Sequence, residues 1–223
     1  MPRLKKILMV VALVGLSLSG CTSLEGPSQE EKKANSNQFH KVVNEYFEAF
    51  LALHPLFATS IGDHQFDDQL AISISQSHRE KQKKLVDSTL DRLHLIQGEY
   101  LEHQERLTYE MLTSDLETEK GLLAVDLDYL MPFNQFSSFF SDFAELASGM
   151  SFVSFDTQKD YENFLCRCSF VPEYIDVMIK NMQEGIEKGV TTPKVLVELG
   201  LKQLKNLLVS DYKDSLFYKP VLD

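Results

Sequence analysis

Tryptophan is absent from the sequence, and cysteine, histidine, glycine and proline are scarce. The 223 residues include 3 cysteines, 6 histidines, 10 glycines and 7 prolines. So few cysteines exclude a small disulfide-stapled scaffold, and so few glycines and prolines exclude a collagen-like or low-complexity chain. Hydrophobic residues make up 43% of the chain, which is typical of an ordinary globular domain with a sizeable core.

The sequence also lacks the short motifs of the common catalytic classes. No two histidines lie three, four or five residues apart, so the zinc-binding HExxH motif is missing; the closest stretch is His103-Gln104-Glu105. The nucleophile elbow G-x-S-x-G and the phosphate-binding glycine loop are missing as well. We therefore predict no catalytic, cofactor-binding or metal-binding residue.

Three aspartates in one short stretch are the nearest approach to a cation site. Asp63, Asp67 and Asp68 do not have the spacing of a calcium loop. We predict that they are solvated acids in a turn.

Positive charge is in short supply. The formal net charge is -11, since 33 aspartates and glutamates outnumber 22 lysines and arginines. This balance excludes nucleic acid and anionic lipid headgroups as partners, because both require basic clusters.

The first 21 residues have the layout of a secretory signal peptide. Arg3, Lys5 and Lys6 precede an apolar run over residues 7–18, which is shorter than the about 20 residues of a membrane span. The following Leu18-Ser19-Gly20-Cys21 resembles the lipobox of bacterial lipoproteins. This resemblance implies that residues 1–20 are removed and that Cys21 is acylated, so that the membrane is a partner through its acyl chains. The alternative is an ordinary cleaved signal in which Cys21 is incidental.

Residues 21–36 are polar and contain Gly26 and Pro27, and they predict a tether between the anchor and the folded part. The residues after Cys21 are neutral, whereas an aspartate there would resemble an inner-membrane retention signal. We therefore expect a location in the bacterial envelope, on the outer membrane facing the periplasm.

Residues 37–223 predict an all-α fold, an irregular bundle of six or seven helices. Apolar residues recur at three- and four-residue spacing, and no segment alternates as a surface strand does. Pro55 predicts that the first helix ends at His54. Asp156 or Thr157 is predicted to cap a later helix. Thr192-Pro193 predicts the start of the last helix, with the threonine hydroxyl at the cap. The predicted ranges are about 38–54, a short turn of helix at 55–62, and about 75–97, 103–123, 136–147, 157–172, 172–189 and 193–208.

Two side-chain groups allow alternative interpretations. Phe136, Phe139, Phe140 and Phe143 predict core packing, with a ligand groove or an interface as the alternative. Cys166 and Cys168 lie two residues apart on a predicted helix and point to nearly opposite faces. We predict that they are free thiols, packed as small hydrophobic side chains.

The sequence contains an ordered series of short motifs: His54-Pro55, Ala58-Thr59, Gly62, residues 107–110 (LTYE), 132–135 (PFNQ) and 160–165 (DYENFL), Arg167, Pro172, Gly185, Gly189 and Pro193. Together these motifs resemble the N-terminal part of the DUF885 family. The resemblance implies a large, mostly helical bacterial protein, often a lipoprotein and similar to gluzincin-type zinc peptidases, with HExxH and a further glutamate ligand in its C-terminal half. None of those ligands is present, so zinc is expected only in full-length relatives, and a peptide substrate only if a C-terminal half completes the fold.

Two functional hypotheses remain open, of which only the first follows from the resemblance. The first is a non-catalytic N-terminal half of a zinc peptidase, inactive alone, whose apolar end at residues 216–223 suggests a chain interrupted within its fold. The second is a stand-alone helical lipoprotein that acts as a binding or scaffold module. For the polar residues Arg167, Tyr161 and Asn134 we predict structural roles, with Arg167 paired to a carboxylate and the Tyr161 hydroxyl at the rim of the core.

Overall fold

The computed structural model describes residues 26–125, 127–133 and 139–221, and these ranges contain eight α-helices and no β-strand. The predicted all-α class is confirmed. The count exceeds the prediction because the short turn of helix after Pro55 is a helix in its own right. The helices are α1 Gln29–Leu53, α2 Pro55–Ser60, α3 Gln76–Leu93, α4 His103–Val125, α5 Phe139–Ala147, α6 Gln158–Ser169, α7 Val171–Lys188 and α8 Lys194–Leu207.

Helix α1 begins well before the predicted start near residue 38, and the structure places residues 29–36 of the predicted tether inside it. Ser28 and Glu31 form a capping box that satisfies the first backbone donors. The Asn35 side-chain amide exchanges two hydrogen bonds of 2.9 Å with the backbone of Gln97. These polar contacts hold the first turns of the helix in place. The apolar stripe that marks the rest of the helix is not needed there.

A first core lies between α1, α3 and α4. Its buried members include Phe39 and Val42 of α1, Leu90 and Leu93 of α3, and Leu116 of α4. Burial of each such side chain stabilises the fold by about 1.5–3 kcal/mol. These helices are the ones whose apolar stripes are clearest in the sequence.

A second core contains the phenylalanine-rich segment. Phe143 of α5 stacks on Phe164 of α6 with ring centroids 5.3 Å apart, and Leu70 and Val153 pack into the same cluster. The prediction of core packing is confirmed for Phe143, which is buried, while Phe139 and Phe140 are half-buried. Phe136 lies outside the described residues.

Three helix ends lie where local signals predict them. His54 caps α1 before Pro55, Thr157 forms a capping box with Asp160, and α7 ends at Gly189 with φ of 70°. At the start of α8 the prediction was wrong. Pro193 itself occupies the cap position, and the Thr192 hydroxyl donates to the Phe133 carbonyl at 3.3 Å.

The apolar stretch near residue 220 packs in part on the second core. The Phe217 ring lies 6.1 Å from that of Phe143, and the Tyr161 hydroxyl donates to the Pro220 carbonyl at 2.6 Å. Half of the Phe217 side chain remains exposed. Within the described ranges, no helix is both long enough and apolar enough to cross a membrane.

Candidate binding cleft

The described structure contains a cleft of about 660 Å³. It is formed by α2, the loop between α2 and α3, residues 128–132, α5, α7 and the start of α8. Its volume is within the range of small-molecule and cofactor sites. The lining residues are Leu56, Leu70, Ala71, Ser73, Asp128, Met131, Pro132, Phe139, Asp142, Phe143, Tyr174, Thr192, Pro193 and Leu196.

One wall of the cleft is a stack of aromatic rings. Phe139 of α5 lies parallel to Tyr174 of α7, with centroids 3.8 Å apart and an angle of 12° between the planes. Phe139 also stacks on Phe143 at 5.3 Å. Tyr174 is buried, and its position follows from α7, which starts with Pro172 in its first turn. The stack therefore presents a rigid apolar surface to a ligand.

The charged side chains that line the cleft all carry the same sign. Asp128 and Asp142 are both exposed, and the described lining includes no lysine, arginine or histidine. Burial raises the pKa of the Tyr174 phenol; a hydrogen bond with Ser73 opposes this and the charge of Asp142 adds to it. The aromatic wall and the two carboxylates therefore line the same cleft.

Arg167 holds the loop that forms the opposite wall. It is only 1% exposed, and it donates to the Gln69 carbonyl at 3.1 Å and to the Phe66 carbonyl at 3.3 Å. Its Nη2 also lies 3.4 Å from Asp67. Burial lowers the pKa of Arg167, and the negative charges of Asp67 and Asp68 oppose this shift. The arginine thereby positions Leu70 and Ala71, which follow in sequence.

The aspartate cluster is not the uniformly solvated turn that the sequence predicts. The Asp67 side chain is 15% exposed, accepts a 2.6 Å hydrogen bond from the Thr59 hydroxyl and lies 2.8 Å from His64 Nδ1. Asp63 caps the short helix His64–Phe66, and Asp68 is exposed. The prediction for Asp67 was wrong because its partners lie outside the turn: Thr59 belongs to α2 and Arg167 to α6.

The predictions for the remaining residues had different outcomes. The carboxylate partner predicted for Arg167 is confirmed, and the Tyr161 hydroxyl lies at the edge of the core as predicted. Both cysteines are free, but only Cys168 packs against a core, while Cys166 is exposed. Packing of Cys166 was therefore wrongly predicted. Cys21 and Asn134 lie outside the described residues.

Phe139 and Phe143 belong to the segment for which the sequence left a ligand groove as the alternative to core packing. The other functional residues of the cleft, Tyr174, Asp128 and Asp142, were not identified, because they belong to no motif. No local signal could have brought them together, since they lie on different elements. In the part of the chain that the structure describes, no group of three or more histidine, cysteine, aspartate or glutamate side chains could hold a metal ion.

Comparison with known proteins agrees with the motif series. The family described as bacterial proteins of unknown function, DUF885, matches residues 55–223. No curated protein and no solved structure shows significant similarity to the chain. Since the family match spans well over half of the 223 residues, the chain belongs to the DUF885 family.

Proposed function

We propose that this chain is a lipid-anchored envelope protein that represents the non-catalytic, helical part of a zinc-peptidase-like fold. In this proposal Cys21 carries the acyl chains, the protein lies on the outer membrane facing the periplasm, and the cleft contributes a wall of the peptide-binding surface. The chain alone does not hydrolyse peptides. The proposal for the peptidase relationship rests on the ordered motifs of the family, and that for the anchor rests on Leu18-Ser19-Gly20-Cys21.

The cleft carries the ligand-binding part of the proposal. Its apolar wall is held by two buried rings, Phe143 at 4% and Tyr174 at 8% exposure. The facing loop is held by hydrogen bonds from two helices. Arg167 of α6 donates to the Gln69 carbonyl, and Asn181 of α7 donates to the Ile74 carbonyl at 2.8 Å. Such a preformed wall binds a ligand with little ordering cost.

The absence of catalysis is tested with the full chain purified in detergent. Bound zinc is measured by mass spectrometry and peptide hydrolysis with a mixed fluorogenic peptide library, with and without added zinc. We expect no stoichiometric zinc and no turnover above the buffer rate. Zinc-dependent turnover that follows the protein through purification would overturn the proposal.

The anchor is tested separately in a bacterial host. Cells that express the wild type or Cys21→Ser are fed an alkyne analogue of palmitate, and the labelled protein is detected after pull-down. We expect label on the wild type only, together with membrane retention after a high-salt wash. Equal labelling of the two chains would exclude acylation at Cys21.

A second candidate function is a stand-alone binding module. The observation that favours it is an apolar groove of about 450 Å³ between α5, α8 and Phe217. The only buried residue of α8 is Gly200, and Leu208 is 79% exposed. This function predicts a defined monomer or oligomer with cooperative thermal unfolding, and a molten, aggregating chain without near-UV dichroism would count against it.

A further inference from the structure

The cleft combines an apolar wall with carboxylates of one sign, and this combination selects a ligand by charge. We infer that the cleft binds a short peptide segment that carries a lysine or arginine between apolar residues. This inference deepens the proposed function and rests on its assignment of the cleft as a peptide surface.

The size of the cleft fits a segment rather than a single group. A volume of about 660 Å³ exceeds that of one side chain and lies within the range of sites for drug-sized ligands. The cleft has apolar surface on several elements, from Leu56 of α2 and Leu70 of the loop to Leu196 of α8. The apolar neighbours of the cation can therefore pack on more than one wall.

The stacked rings suit the stem of a basic side chain. Lysine and arginine bury their methylene groups along apolar surface and keep the charged head near water. The Phe139 and Tyr174 rings, with centroids 3.8 Å apart, provide such a surface beside exposed carboxylates.

The electrostatics of the lining disfavour acidic ligands. Asp128 and Asp142 line the cleft, and no cationic side chain is found among the described lining residues. Asp128 takes part in none of the ion pairs formed by described residues, so its charge is available to a ligand. A ligand with a glutamate instead of the lysine or arginine would be repelled by the two carboxylates.

The expected preference is modest because both carboxylates are exposed. Exposed pairs contribute little, and the effect decreases with salt. We expect a lysine peptide to bind about fivefold more tightly than its norleucine analogue at low ionic strength. The difference should shrink at high salt.

The test uses the full chain in detergent and three peptides of one length, Ac-Ala-Leu-X-Leu-Ala-amide, where X is lysine, norleucine or glutamate. Norleucine has nearly the shape of lysine without its charge. Binding is measured by fluorescence anisotropy of labelled peptides. The variants are Asp128→Asn with Asp142→Asn, the control Glu187→Gln on the exposed end of α7, and Ala71→Phe to fill the cleft.

The wild type and Glu187→Gln should prefer lysine over norleucine and bind glutamate most weakly. The double variant should bind the lysine and norleucine peptides equally, and Ala71→Phe should weaken all three. Equal binding of lysine and norleucine by the wild type would overturn the charge preference and leave the cleft as a peptide surface. Binding of none, or binding unaffected by Ala71→Phe, would overturn the cleft role itself, whereas zinc-dependent turnover is the separate failure of the proposed non-catalytic function.

Discussion

The Arg167 guanidinium donates to the Thr59 hydroxyl over 2.5 Å, although the two residues lie 108 positions apart in the sequence. The Thr59 hydroxyl is itself 2.6 Å from Asp67. This contact joins α2, the loop after it and α6 into one unit. The wall of the cleft depends on that unit, because Leu70 and Ala71 follow directly from the loop.

Replacement of Arg167 should be the most damaging single change in this region. Arg167→Leu leaves Asp67 and two loop carbonyls without their buried donor, and we expect a loss of about 3–5 kcal/mol in the free energy of unfolding. The exposed Arg106, whose Nε lies 3.8 Å from Glu110, is the matched control. Arg106→Leu should change stability by less than about 1 kcal/mol, as urea denaturation can measure. Equal losses in the two variants would contradict the role of the buried network.

Two helical glycines should respond to alanine in opposite directions. A Cβ at Gly185 of α7 would lie 2.6 Å from the Val190 carbonyl oxygen and 2.9 Å from that of Leu130, whereas a Cβ at Gly121 of α4 would meet nothing within 4 Å. Gly185→Ala should destabilise the fold by about 1–3 kcal/mol because backbone atoms must move. Gly121→Ala should stabilise it by up to about 1 kcal/mol through helix propensity. Thermal melts of both variants check the sign, and stabilisation at residue 185 would refute the close contact.

Stability should fall between pH 7 and pH 5 because of a histidine pair formed by the half-buried His54 and the buried His78. The rings of His54 and His78 lie 5.6 Å apart. Burial lowers the pKa of both, and the charges of His54 and Lys81 lower that of His78 further, while Glu119 opposes the shift at His54. The unfolded chain therefore takes up these protons first, and the contribution to stability is lost as the pH falls below about 6.5.

His78→Phe keeps a ring at this position and removes one of the two protons. We expect this variant to lose less stability than the wild type over the same pH range, measured by urea denaturation at each pH. His103→Gln, at the exposed start of α4, is the control and should follow the wild type. A pH dependence unchanged by His78→Phe would show that other groups cause it.

The two neighbouring cysteines should differ in reactivity. Cys166 is exposed, whereas Cys168 packs against the second core and burial raises the pKa of its thiol. Because the thiolate is the reactive form, iodoacetamide should modify Cys166 in the folded chain at least about tenfold faster than Cys168. Mass spectrometry of the peptide that contains both residues gives the two rates, and urea should remove the difference. Equal rates in the folded chain would contradict the packing of Cys168.

Much of the fold could be predicted because it depends on short-range interactions. Pro55, Thr157 and Gly189 end or begin helices through contacts within a few residues, and the structure confirms each of them. The start of α1 was missed, although Ser28 and Glu31 form a local capping-box signal. The hydrogen bonds of Asn35 with Gln97 could not be predicted in this way, because 62 positions separate the two residues.

The candidate site was less accessible to sequence reasoning. The predicted anchor at Cys21 lies outside the described residues and stays a prediction. The carboxylate partner of Arg167 could be expected in kind, but its identity as Asp67 could not, because 100 positions separate them. Asp67 and Asp68 look alike in the sequence, and only the approach of α6 distinguishes them.

The sequence by itself determined the all-α class, most helix ends, the acidic balance and membership of the DUF885 family, because spacing, capping and composition are local or additive properties. The tertiary structure decided that Asp128, Asp142, Phe139 and Tyr174 share one cleft and that Arg167 holds its facing loop. Those relationships depend on the relative orientation of helices, which is set by packing between residues distant in the chain. No periodicity within a single helix contains that information.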